Sequence, residues 1–132
     1  MSRSGEVILD WGDGTYPFRL AWGQLAELQD KCDAGPYVVL NRLADHTWMI
    51  EDVSNIIRLG LIGGGMDPVL ALKKVRTYVE AFPPLQSLPF AQAILYAALL
   101  GAPEDDVGKP PPVEEPETDG PPSPGESSGS PE

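Results

Sequence analysis

Residues 55–68 read NIIRLGLIGGGMDP, and this stretch decides how the rest of the chain is arranged. Glycine takes positive φ easily at the C-terminal end of a helix, and an Asp-Pro pair is typical of a helix start, with Asp67 as N-cap and Pro68 at the first helical position. A phosphate-binding loop needs a preceding strand and a Lys-Ser or Lys-Thr pair, and neither is present. The run therefore predicts a break between two apolar helices. We expect a movable joint at Gly63, Gly64 and Gly65, and expect that alanine at all three positions stabilises one long helix.

Apolar residues recur at helical spacing on both sides of this break. One helix is predicted after Trp22, a short one after Pro36, and a central one over residues 51–62. After the glycines, a fourth helix ends before Pro83. The residues expected on the buried faces of the first, second and fourth helices are Leu25, Leu28 and Cys32; Tyr37, Leu40 and Leu43; and Leu72, Val75, Val79 and Phe82.

A β-hairpin is predicted before the helices. Two apolar runs, residues 6–11 and 16–20, flank Gly12-Asp13-Gly14-Thr15, and an Asp-Gly pair between such runs favours a tight turn. Pro17 has no N–H to donate, so its strand is expected at an edge. An isolated hairpin is marginal in water, and we expect this one to pack on the helices.

The last predicted helix has Ser87 as its expected N-cap and Pro89 in its first turn, and from residue 90 to residue 100 it is apolar on nearly all sides. A domain of about a hundred residues buries such a helix with difficulty, which favours a partner surface. Trp48, in a polar loop, is a second candidate anchor. The residues predicted to bind a partner are Trp48, Met49, Met66, Phe90, Ile94, Leu95 and Tyr96.

The composition changes at residue 103. Residues 103–132 contain nine of the fifteen prolines and nine acidic side chains against one basic side chain. Such a segment buries too little apolar surface to fold. We therefore predict an α+β, mostly helical domain at residues 1–102, an N-terminal β-hairpin followed by four to five α-helices, and a disordered acidic tail at residues 103–132.

The net charge of −11 argues against binding to nucleic acid, because a phosphate backbone repels an acidic chain. A single cysteine allows no internal disulfide, and no apolar stretch approaches the length of a membrane span. We expect a cytoplasmic protein that binds neither nucleic acid nor membrane.

Catalytic chemistry is poorly represented. Cys32, His46 and Asp45 are the only set that resembles a nucleophilic triad, and a core cysteine with a surface histidine explains them more simply. No zinc or calcium spacing occurs in the sequence. We expect no enzyme activity, no metal and no cofactor.

The order of the motifs resembles the gene transfer agent family of small phage tail proteins over residues 5–102. These motifs are structural, and none is catalytic. The segments that carry the resemblance are Gly5-Glu6-Val7, the Asp-Gly hairpin, Phe18-Arg19-Leu20, residues 22–28, Asp52-Val53, residues 57–66 and residues 91–101.

The resemblance implies a tail assembly chaperone, although the family is also labelled tail tube. A chaperone would bind the long apolar helices of the tape measure protein, and also the major tail tube protein, in the cytoplasm of the host cell. Two alternatives stay open: a structural tail component such as a tail tube subunit, which would be a homo-oligomer, and a small cytoplasmic adaptor. The tube alternative ranks second because one hairpin offers few strands for an intersubunit barrel.

Overall fold

The computed structural model describes residues 5–101 of the chain, and these residues form a hairpin followed by five α-helices. The predicted α+β, mostly helical fold is thereby confirmed. The predicted tail lies outside the described residues, and the domain boundary at residue 102 stays a prediction. The elements are β1 (Val7–Trp11), β2 (Gly14–Phe18), α1 (Trp22–Cys32), α2 (Pro36–Asp45), α3 (Ile50–Gly63), α4 (Pro68–Tyr78), a 3₁₀ turn (Pro84–Ser87) and α5 (Leu88–Leu100).

The hairpin is a two-stranded antiparallel sheet in which Trp11 pairs with Gly14 and Val7 with Phe18. Its two-residue loop is therefore Gly12-Asp13, one position earlier than the Asp-Gly pair in the sequence suggests. Gly12 has a φ of +62°, as the first loop residue of a type II′ turn requires. The side chains of Val7, Leu9 and Trp11 lie towards the helices, and Trp11 is buried.

The hairpin turn is joined to α4 by polar and aromatic contacts. Lys74 Nζ lies 2.9 Å from Asp13 Oδ2, and the Tyr16 hydroxyl donates to the same carboxylate group. These two donors, the hydroxyl first, lower the pKa of Asp13. The ring of Trp11 meets that of Tyr78 edge-on, with centroids 5.6 Å apart. The hairpin turn therefore packs against the C-terminal half of α4.

Helix α3 is the centre of the domain, as predicted, and α1, α4, α5 and β2 all pack against it. Its buried residues occupy most of the helix circumference, so little of α3 reaches solvent. They are Asp52, Val53, Ile56, Ile57, Leu59, Gly60 and Leu61.

The three glycines at the end of α3 form a Schellman cap. Met66 N–H donates to Leu61 O at 2.9 Å, Gly65 N–H donates to Ile62 O at 3.0 Å, and Gly65 has a φ of +113°. This hydrogen-bonding pattern satisfies the last carbonyls of the helix and reverses the chain into α4. Asp67 caps α4 as predicted, because its Oδ2 accepts from Val69 N and Leu70 N at 3.1 and 3.2 Å.

Gly63 and Gly64 have a second role that the sequence did not reveal. A Cβ on Gly63 would lie 1.8 Å from Arg19 O, and one on Gly64 would lie 2.0 Å from Pro17 O. The end of β2 therefore passes directly over these two residues, and only glycine allows that approach. This contact fixes the end of α3 in place and argues against the movable joint predicted at Gly63, Gly64 and Gly65.

The buried faces of α2 and α4 match the prediction only in part: Leu43, Val75 and Val79 are buried as expected. In α2 the buried residues are Val39 and Leu43, while Tyr37 is exposed. In α4 they are Ala71 and Val75, and Leu72 and Phe82 are partly exposed. α4 ends at Tyr78, so Phe82 follows a different backbone course and does not share its helical phase. Apolar spacing identified both helices, but neighbouring elements set their rotation.

Helix α5 is buried within the single domain over most of its surface. Ser87 occupies the predicted N-cap position, although its side chain makes no capping hydrogen bond. Gln92 Nε2 donates to Leu43 O at 3.1 Å and ties α5 to α2. The buried residues of α5 are Leu88, Ala91, Ile94, Leu95 and Ala97.

Across residues 5–101, none of the helices combines the length and apolar character needed to cross a bilayer.

Candidate interaction surfaces

The cysteine–histidine set does not form a catalytic site. Cys32 is buried at the end of α1, whereas His46 is exposed and caps α2 in a left-handed conformation with a φ of +66°. Burial, together with a hydrogen bond to Asp52, raises the pKa of the Cys32 thiol to about 12. The thiol is therefore protonated at neutral pH and a poor nucleophile. Within residues 5–101, no cluster of His, Cys, Asp and Glu is arranged to hold a metal ion.

Alkylation of Cys32 in the native chain is expected to be slow. The raised pKa leaves little thiolate, and the surrounding core blocks access, so iodoacetamide at pH 8 should react about a hundredfold more slowly than with the same chain in denaturant. Mass spectrometry of timed samples measures both rates. Equal rates in the folded and unfolded chain would show that the thiol is accessible and would reopen the catalytic interpretation.

A buried ion pair lies beside Cys32. Asp52 is fully buried, and its Oδ2 lies 3.3 Å from Arg42 Nε and accepts from Met49 N–H at 2.8 Å. Arg42 Nη2 also donates to Asp52 Oδ1 and to Cys32 O, at 3.3 and 3.1 Å. One carboxylate thus links the ends of α1 and α2 to the start of α3. Nothing in the sequence spacing shows that Arg42 faces Asp52, since ten positions separate them.

The residues predicted to bind a partner do not form one surface. Ile94 and Leu95 are completely buried in the core, so neither is available to a partner. Met49 and Tyr96 are about half exposed, on the loop before α3 and on α5. Trp48, Met66 and Phe90 are partly buried against the core. The helical spacing of α5 could not reveal this division, since nearly every position of that helix is apolar.

Two of those residues do line surface grooves. Phe90 lies in an open cleft beside the hairpin turn, together with Trp11, Tyr78 and Phe82. Met66 lies in a smaller groove over the Schellman cap, beside Tyr16, Pro17 and Leu70. The groove over the Schellman cap is predominantly apolar, whereas the cleft beside the hairpin turn is mixed, since Asp10, Thr15, Gln86 and Ser87 also line it.

The most exposed large apolar residue, Trp22, was not among the residues predicted to bind a partner. Trp22 is 89% exposed at the start of α1, beside a groove lined by Leu25, Tyr37 and Leu99. The helical phase contained the signal, because Leu25, Leu28 and Cys32 define the buried side of α1 and Trp22 falls well off it. An exposed indole of this size beside an apolar groove is typical of a protein-binding surface.

Helix α4 adds a further exposed apolar region. Val69 and Leu70 are exposed in its first turn, and Leu72 is partly exposed one turn later. Together with the three grooves, this distribution gives a small domain several separate surfaces for contact with other proteins. Such an arrangement suits a building block with more than one neighbour better than an enzyme with one cleft.

Comparison with known proteins gives one match. The model of a family described as phage tail tube protein, GTA-gp10, matches residues 4–101. No curated protein and no solved structure matches the chain. The family description contradicts the chaperone function predicted from the sequence and favours the alternative of a tail tube subunit. Binding to the tape measure protein has no support from the match.

Proposed function

Because the chain belongs to the GTA-gp10 family of phage tail tube proteins, we propose that it is a structural subunit of a phage or gene transfer agent tail. The observation that carries this proposal is the match over residues 4–101, which covers all of the described domain. The subunit is not an enzyme in this proposal. Its partners are copies of itself or other tail tube proteins, and assembly takes place in the host cell cytoplasm.

The structure suggests how a mostly helical subunit would assemble. Strand addition along β2 is disfavoured, because Pro17 has no N–H and its carbonyl lies against Gly64. β1 is only five residues long, and Asp10 on its outward side discourages pairing with another strand. The exposed apolar regions on α1 and α4 are better suited to contact between subunits. Assembly through helix faces does not require a subunit rich in strands.

We expect this chain in many copies in purified mature particles. Quantitative mass spectrometry against isotope-labelled peptides from residues 5–101 measures the copy number relative to the other particle proteins. A structural subunit should be present at several copies per particle or more, since rings are built from repeated units. Particles purified away from cell lysate that lack the chain would refute the proposal.

A further inference from the structure

We propose that copies of this chain associate head to tail, with the outward side of α4 in one copy packed along the outward side of α1 in the next. This inference rests on the proposed function, since it names the self-contact of a structural subunit. The basic stripe is defined as Val69, Leu72, Lys73 and Arg76 on α4. The acidic stripe is defined as Trp22, Ala26, Asp30 and Asp33 along α1 and its C-cap.

The basic stripe lies on the side of α4 away from the core. Ala71 and Val75 define the buried side, and the four stripe residues are all exposed. Lys74, their neighbour, is held by Asp13. Within residues 5–101, by contrast, no carboxylate forms an ion pair with Lys73 or Arg76. Two large apolar side chains therefore precede two unpaired cations on one helix face.

The acidic stripe has the same order of apolar and charged residues as the basic stripe, with charges of opposite sign. Trp22 is at the start of α1, and one turn later the small side chain of Ala26 lines a shallow surface depression. Asp30 and Asp33 follow at the C-terminal end of the helix. Among the residues that the structure describes, neither Asp30 nor Asp33 has an ion-pair partner. The C-terminal end of a helix carries a partial negative charge, which adds to the attraction for a cation.

The two stripes match when the helices run side by side in the same direction. In each helix the apolar residues come first and the charges second, and in each the two charged residues are three positions apart, a rise of about 4.5 Å. When Lys73 lies level with Asp30, Val69 lies level with Ala26 and Leu72 with Gln29, and Trp22 lies about 6 Å before Val69, beside the start of α4. Lys73 lies opposite Asp30 and Arg76 opposite Asp33. Apolar contact at one end and charge pairing at the other fix both the register and the direction.

One copy cannot pair its own stripes. α1 and α4 pack on α3 separately, and within residues 5–101 no hydrogen bond or ion pair joins the two helices. The hairpin turn lies on α4 through Asp13, whereas the open end of the hairpin leads into α1. The contact is therefore between two different surfaces of the chain, and such contacts build closed rings or open helical arrays.

Charge reversal in the full chain tests the contact. One variant carries Asp30→Arg and Asp33→Arg, and a second carries Lys73→Glu and Arg76→Glu. All four side chains are exposed, so the fold should be retained, as circular dichroism will verify. Asn41→Lys and Asn41→Glu, each a change of one charge on the exposed side of α2, are the controls for a charge change outside the two stripes. Sedimentation velocity at low salt measures association of each variant and of an equimolar mixture of the two reversed variants.

We expect the wild-type chain to associate, each reversed variant alone to associate at least tenfold more weakly, and the mixture to recover association, because each acidic face then meets a basic one. The Asn41 controls should associate like the wild-type chain. The loss of association in the Asp30→Arg, Asp33→Arg variant separates this contact from binding of the basic stripe to the acidic tail, because changes on α1 would not weaken that binding. A wild-type chain that is monomeric at about 1 mM, unchanged association in the reversed variants, or a mixture that fails to recover would each refute the contact.

Failure of this contact and failure of the proposed function give different results. If the chain is abundant in particles but charge reversal has no effect, the subunit role stands and the α1–α4 contact is wrong. If the chain is absent from particles, the subunit role is wrong whatever the sedimentation data show.

Discussion

Replacing either Gly63 or Gly64 with alanine is expected to lower the free energy of unfolding by about 3 kcal/mol or more, because an added methyl group would overlap a backbone carbonyl. The Cβ would lie 1.8 Å from Arg19 O or 2.0 Å from Pro17 O. A flexible side chain can move away from such an overlap, but these carbonyls belong to the end of β2 and the segment that follows it. The hairpin would have to lift from α3.

Gly23→Ala is the matched control. Gly23 lies in a helix, as Gly63 does, but nothing lies within 4 Å of its ideal Cβ. Alanine there should stabilise the chain by about 0.5–1 kcal/mol, since glycine disfavours helix. Urea titrations followed by circular dichroism give both values. Stabilisation by Gly63→Ala or Gly64→Ala would mean that the hairpin does not contact α3 as described and would support the long-helix interpretation of the sequence.

Asp52→Ala is expected to lower the free energy of unfolding by about 3–5 kcal/mol, the usual cost of removing one partner from a buried ion pair. Asp52 is fully buried, while Arg42 has only about a fifth of its side chain exposed. The substitution leaves the guanidinium without its anion and also leaves Met49 N–H without its acceptor. A cavity replaces the carboxylate, which adds to the loss.

Glu51→Ala provides the comparison within the same helix turn. Glu51 is exposed, so its removal should change the free energy of unfolding by about 0.5 kcal/mol or less. Thermal and urea unfolding of both variants measure the difference. If Asp52→Ala were as mild as Glu51→Ala, the ion pair would not stabilise the start of α3.

The sequence predicted the elements well because their signals are local. Asp67-Pro68 marks the start of α4, and the glycines mark the end of α3. Both signals arise from backbone preferences that do not depend on the neighbouring elements. The faces of α2 and α4 were less predictable, since Tyr37 and Leu72 satisfy the apolar spacing as well as Val39 and Ala71 do. Only the packing of the whole domain chooses between them.

Two contacts that hold the domain together join residues that are separated in the sequence. Asp52 and Arg42 are ten positions apart, and the Arg19 carbonyl that fixes Gly63 is far from it in sequence. No spacing rule connects such pairs. The function was misjudged for another reason: the tube alternative ranked second because one hairpin supplies few strands, and the family match corrects that ranking.

The carbonyl of Gly60 has a consequence for the order in which the chain folds. It accepts from Gly64 N–H at 2.9 Å within α3 and from Arg19 N–H at 3.0 Å beyond β2. One oxygen therefore belongs to a local helix turn and to a contact that closes a loop of roughly forty residues. The bond from Gly64 can form early, because its partners are four residues apart. The bond from Arg19 can form only once the chain between residues 19 and 60, which contains α1 and α2, allows these two residues to meet. We therefore expect the hairpin, although it comes first in the sequence, to dock on α3 late in folding.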